Sequence, residues 1–76
     1  MSRPLYEIAA EIRKDWRNIS RPARPYRDAM ADLTSISDYF YADPGREIVA
    51  RFLCNASSWR GETARRIKAE LKALSR

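Results

Sequence analysis

The side chains best equipped for chemistry in this sequence are cations. Arg65, Lys68, Lys72 and Arg76 recur at steps of three, four and four, which on a helix places four positive charges on one stripe. Arg60 and Arg66 stand beside them. A stripe of this kind can neutralise phosphates, release their counterions and so bind nucleic acid in a salt-sensitive way. It can equally be a solvated face in which Glu62 pairs with Arg66, and Arg66 with Glu70, four residues apart. A second cationic group lies in Arg21-Pro22-Ala23-Arg24-Pro25, where each proline favours extended backbone at the arginine before it. Nucleic-acid contacts are therefore expected from Arg60, Arg65, Arg66, Lys68 and Lys72, helped by Arg21 and Arg24.

Aromatic and arginine residues together suggest a different chemistry, that of a protein interface. Trp59-Arg60-Gly61-Glu62 sits where a helix should begin, and Trp59 reads either as a ring capping the core or, with Arg60, as a hot spot for a partner. Tyr39-Phe40-Tyr41 is too aromatic for an idle loop and is either a lid on the core or an exposed docking patch. Trp59, Arg60, Tyr39 and Tyr41 are the anchors expected of a surface that binds a protein.

Catalysis finds little support. The chain has no His, one Cys and two separated Gly, which leaves no His base, Cys/His zinc set or Gly-rich phosphate loop. Asp28 with Asp32, or Asp43 with Glu47, matches a hard cation only as two carboxylates at helical spacing, and both pairs read better as surface or helix-start residues. The expectation is a protein that is not an enzyme and carries neither cofactor nor metal.

The formal charge of +5 is unevenly distributed over the 76 residues. Residues 13–27 hold Arg13, Lys14, Arg17, Arg21, Arg24 and Arg27 against Asp15, and residues 60–76 hold six cations against Glu62 and Glu70. Between them, residues 28–59 carry five carboxylates against Arg46 and Arg51. Two basic segments thus flank an acidic middle, a pattern suited to an anionic partner or to another copy whose acidic middle the ends meet. The bias toward Arg and Ala also matches what a GC-rich coding genome produces. Apolar runs are too short to span a bilayer, Glu7 and Glu11 break any secretory signal near the N-terminus, and the lone Cys54 reads as a packing residue in a reducing compartment.

These residues must be positioned by helices. Leu5, Ile8, Ile12, Trp16 and Ile19 form one helical stripe, with Ser2 as N-cap, and the helix should fail by Ser20. Tyr26, Ala29, Met30, Leu33 and Ile36 predict a second helix from Pro25 to about Ile36. Asp43-Pro44 starts a third, with Ile48, Val49, Phe52, Leu53 and Ala56 inward. Ser57 or Ser58 caps a fourth, whose Ala64, Ile67, Leu71 and Leu74 form a two-heptad seam. The third and fourth also carry the rhythm of a helix-turn-helix, although their connector is long for one. The fold expected is all-α, a compact single-domain bundle of about four short helices over residues 1–76.

The segments Ile48-Val49-Ala50-Arg51-Phe52-Leu53-Cys54-Asn55-Ala56, Ser58-Trp59-Arg60-Gly61-Glu62 and Ala64-Arg65-Arg66-Ile67-Lys68-Ala69-Glu70-Leu71-Lys72, with Ile12-Arg13-Lys14-Asp15-Trp16, Pro25-Tyr26 and Ala29-Met30, resemble a family of small proteins encoded by actinobacteriophages, especially mycobacteriophages. The resemblance covers most of the chain. It implies a setting, the cytoplasm of an infected host, and brings no catalytic residue or ligand. The expected function is that of an interaction module for a host protein, the alternative is nucleic-acid binding through the basic C-terminal helix, and pairing of the Ala64–Leu74 seam with its copy would give a homodimer.

Overall fold

The first turn of a helix leaves backbone N–H groups without partners, and in this protein distant carbonyls supply them. In the computed structural model, which describes residues 3–75, the amides of Leu5 and Tyr6 donate to the carbonyls of Thr34 and Leu33, both at 2.9 Å. The first helix, α1 (Leu5–Asp15), follows an extended Pro4 and buries Leu5, Ile8, Ala9 and Ile12. Ser2, expected as its N-cap, and Arg76, expected on the C-terminal stripe, lie outside the described residues. The helix stops well before Ser20, because Trp16 leaves helical dihedrals (φ −100°, ψ 75°) and its ring is buried in the core.

The Pro-rich connector turns instead of extending. The carbonyl of Ser20 accepts from the amides of Ala23 and Arg24, Ala23 is fully buried, and Arg24 is already helical at the start of α2 (Arg24–Met30). This helix is shorter than its apolar spacing predicts. Beyond it the chain makes tight turns onto the carbonyls of Ala29 and Met30, and the Asp38 carboxylate accepts from the amides of Thr34 and Ser35. Side-chain acceptors of this kind compete with helix propagation, and the carbonyls of Leu33 and Thr34 are committed to α1.

Tyr39–Phe40 (β1) pairs antiparallel with Asp43–Pro44 (β2), Tyr39 opposite Pro44 and Phe40 opposite Asp43. The expectation of a purely all-α bundle is corrected here: four helices are joined by a small two-stranded sheet. Tyr41 in its turn adopts φ 57°, the left-handed region that non-glycine residues seldom enter. Pro44 is consequently the extended N-cap of α3 (Gly45–Cys54), not its first residue. The amides of Gly45 and Arg46 donate to the carbonyls of Asp38 and Ile36. This approach leaves no room for a side chain, since a Cβ at Gly45 would lie 2.9 Å from the Ser35 carbonyl oxygen and 3.0 Å from the Ile36 Cα. Gly45→Ala is expected to destabilise the fold by about 1–3 kcal/mol, as forced overpacking does, measured by urea unfolding.

Ile48, Val49 and Phe52 are the buried face of α3. Cys54 is exposed, contrary to its reading as a packing residue: it lies two positions past the buried Phe52, on the opposite side of the helix. The last helix, α4 (Glu62–Leu74), starts after Gly61 at φ 113° without a side-chain cap, so neither Ser57 nor Ser58 serves in that role. Its Ala64, Ile67 and Leu71 are buried in the monomer, which removes the apolar seam as a free dimer surface.

The long-range bonds give each helix a direction. Leu5 lies by Thr34, Gly45 by Asp38 and Arg46 by Ser75, whose carbonyl accepts from Arg46 Nη1 at 2.6 Å. At the other end, Asp15 and Trp16 meet Trp59, and Ser20 meets Asn55. The four helices therefore run up, down, up and down between two poles. One pole carries the hairpin and the start of α1; the other carries the connectors 16–23 and 55–61.

Candidate functional site

Three rings hold the second pole together. Trp16 and Trp59 are stacked with centroids 5.4 Å apart and planes 3° from parallel, and the Phe52 ring stands edge-on to both, 6.2 Å from each. Trp59 Nε1 donates to Asp15 Oδ2 at 2.8 Å. Its backbone carbonyl accepts from Lys68 Nζ at 2.7 Å. Trp59 is only 3% exposed, so as an interface anchor it is corrected: the ring is spent on the core and is unavailable to a partner.

This stack draws the two basic segments together. Ser20 Oγ donates to the Asn55 carbonyl at 3.2 Å, laying the connector that carries Arg17 and Arg21 beside the one that carries Arg60. Arg17, Arg21, Arg24 and Arg60 are all exposed, and none has a carboxylate partner among the described residues. Lys68, half-buried below them, has its pKa lowered by desolvation and then by the positive charges of Lys72 and Arg60. Arg65 and Lys72 are exposed along α4 and continue the basic surface from this pole.

One arginine of the expected set, Arg66, is occupied elsewhere, and Arg3 shares its partner. Arg66 reaches Glu11 on α1, not Glu62 or Glu70. Arg3 grips Glu70 through both Nε (3.0 Å) and Nη2 (2.7 Å) and Glu11 through Nη1 (2.8 Å). The four side chains form one chain, Glu70–Arg3–Glu11–Arg66, that ties α4 to α1. Arg27 is likewise withdrawn, 8% exposed and paired with Asp28 at 2.7 Å. The hydrogen bond and charge of Arg66, outweighing desolvation and aided by Arg3, hold the Glu11 carboxyl below its ordinary range. A carboxylate depressed in the folded state stabilises above its unfolded pKa and loses that contribution as pH falls through the folded one. Glu11→Gln is expected to cost under about 1 kcal/mol at neutral pH, in keeping with partly exposed pairs, and to flatten the acid limb of a thermal-melting profile.

The four expected protein-binding anchors do not share a surface. Tyr39 and Tyr41 are exposed (66% and 89%) but stand at the hairpin pole, whereas Arg60 and the buried Trp59 stand at the other. Tyr6, absent from the expected set, is the remaining exposed large apolar side chain among the described residues (49%) and belongs to the hairpin pole. Its position next to Leu5, off the buried stripe of α1, was the available signal; its nearness to the hairpin was not readable from spacing.

The connector between α3 and α4 runs from Asn55 to Gly61, and the helix pairs that pack most extensively are α2 on α3, α1 on α2 and α1 on α4. A helix-turn-helix places its consecutive pair in tight contact across a short turn; α3 and α4 lack that arrangement. Among the described residues no group of three or more metal-ligating side chains is assembled, and no helix is long and apolar enough to cross a membrane. Comparison with protein-family models, with curated proteins and with solved structures finds no match.

Proposed function

We propose that this chain is a non-enzymatic binding module that lays its arginine pole on the phosphate backbone of duplex nucleic acid. The observation that carries the reading is that Trp16 against Trp59 and Ser20 against Asn55 lay the connector bearing Arg17 and Arg21, with Arg24 next along the chain, beside the connector bearing Arg60, and that none of these exposed arginines has a carboxylate partner among the described residues. Gathering like charges on one end of a small domain works against its own stability. Guanidinium groups suit phosphate recognition in particular because their planar forks bond two oxygens at once. A duplex is favoured over a single strand by where the aromatics lie: single-strand binders stack bases on exposed rings beside their cations, whereas Trp16 and Trp59 at this pole are stacked on each other inside the core and the exposed Tyr6, Tyr39 and Tyr41 stand at the opposite pole. The resemblance to phage proteins implies the cytoplasm of an infected cell as the setting of this proposed activity.

Four phosphate contacts give a log–log salt slope of about −3.6, hence a loss of affinity of about 100-fold between about 50 and 200 mM salt. Fluorescence anisotropy of a labelled duplex across that range tests this. A duplex that binds no better than a neutral polymer at low salt, or binds with no salt dependence, contradicts the reading.

A further inference from the structure

The pole opposite the arginines has its own surface. All three exposed large apolar side chains of the described residues, Tyr6, Tyr39 and Tyr41, gather there. Half-buried Ile36 forms the wall between two shallow grooves, one lined by Tyr6 and Leu74 and the other by Tyr39 and Pro44. Tyr41 is held out at the hairpin tip in a left-handed conformation (φ 57°), with its backing ring Phe40 edge-on at 4.8 Å. A tyrosine kept 89% exposed on strained backbone contributes little to the fold. Asp32, Asp38 and Asp43 are exposed at this pole, while its cations are engaged, Arg3 in the wall of the Tyr6 groove by Glu70 and Glu11 and Arg46 by the Ser75 carbonyl.

We infer that this acidic tyrosine pole docks on the arginine pole of a second copy of the chain, head to tail. Complementarity is what selects this occupant. The tyrosine pole offers ring faces and carboxylates, and the arginine pole offers Arg17, Arg21, Arg24 and Arg60, whose guanidinium groups stack on aromatic rings and pair with carboxylates. Head-to-head pairing would set Asp38 and Asp43 against their own copies, which like-charge repulsion disfavours. Because the two surfaces lie at opposite ends of each molecule, the contact is heterologous and propagates into open chains instead of closing as a dimer. One end of a molecule 29 × 27 × 19 Å across offers little area beside the about 800 Å² per partner of a stable complex, so the association is weak and sensitive to salt. The inference shares the arginine pole with the nucleic-acid reading but does not rest on it.

The test is sedimentation velocity of the full chain from about 10 µM to about 1 mM at low and high salt, with Asp43→Arg and Arg60→Asp as pole-specific variants. Circular dichroism confirms that both variants fold; should either not, Tyr41→Arg or Arg21→Asp replaces it. The expected result is a wild-type sedimentation coefficient that rises with concentration at low salt only, either variant alone remaining monomeric, and their equimolar mixture forming a species of twice the monomer mass. That mixture retains one intact pole of each kind, so growth stops at two. A wild type that stays monomeric throughout overturns the inference, as does Arg60→Asp associating alone, which would mean head-to-head pairing. Duplex binding measured separately on Asp43→Arg is expected to survive, which distinguishes failure of the chain contact from failure of the nucleic-acid reading.

Discussion

Trp59→Ala is expected to remove most of the stability of this protein. The indole is nearly fully buried, stacked on Trp16, edge-on to Phe52 and bonded to Asp15. Truncating such a ring to a methyl group costs about 3–5 kcal/mol, and loss of its aromatic pairing adds about 0.5–1.5 kcal/mol to the effect. A chain of this length has roughly 4–11 kcal/mol in total. At about 4–8 °C per kcal/mol for a small domain, the melting temperature should fall by at least about 15 °C. The neighbouring Arg60→Ala, at an exposed site, is expected to change stability by less than about 0.5 kcal/mol. Thermal melts followed by circular dichroism compare the two; equal, small shifts would contradict the placement of Trp59 in the core.

The second large effect is on binding. Arg17→Glu, Arg21→Glu and Arg60→Glu together are expected to weaken duplex binding at least about 100-fold at low salt and to bring the magnitude of the salt slope below about 1, since each lost phosphate contact removes nearly one unit of it. The side chains are exposed and have no carboxylate partner among the described residues, so the fold should tolerate the changes. Arg46→Glu provides the control. It changes the charge of one residue by the same two units but stands at the hairpin pole, and its duplex affinity should stay within about threefold of wild type once screening by salt is considered. Equal losses from Arg46→Glu and Arg60→Glu would mean that net charge, not the pole, drives binding.

How much of this was legible in the sequence depends on whether the cause was local. The stripe Leu5, Ile8, Ile12 and the set Ile48, Val49, Phe52 are inward because helical spacing puts them on one face, and both were readable. The early end of α2 was not, because the carbonyls of Leu33 and Thr34 are taken by amides of α1 nearly thirty residues away. The two-stranded hairpin was hidden as well: its turn has no glycine, and Tyr41 adopts φ 57° only in the folded context. Cys54 misled because an apolar neighbourhood in sequence is not a shared helix face.

The candidate site divides along the same line. Exposure of Arg21, Arg24 and Arg60 follows from their type, and the basic character of both segments follows from counting. Their meeting rests on Trp16 against Trp59 and Ser20 against Asn55, contacts between residues about forty positions apart that no spacing rule encodes. Arg66 shows the converse, since its i,i+4 partners Glu62 and Glu70 were available and Glu11 on another helix took it instead.

Amide chemical-shift mapping reads out that meeting of the two basic segments residue by residue. Titrating a short duplex into isotopically labelled protein at low salt should shift the amides of residues 16–24 and 55–61 together, with one common affinity, while those of residues 39–44 stay in place. Shifts confined to one segment, or centred on Tyr39 to Pro44, would contradict the arginine pole as the binding surface.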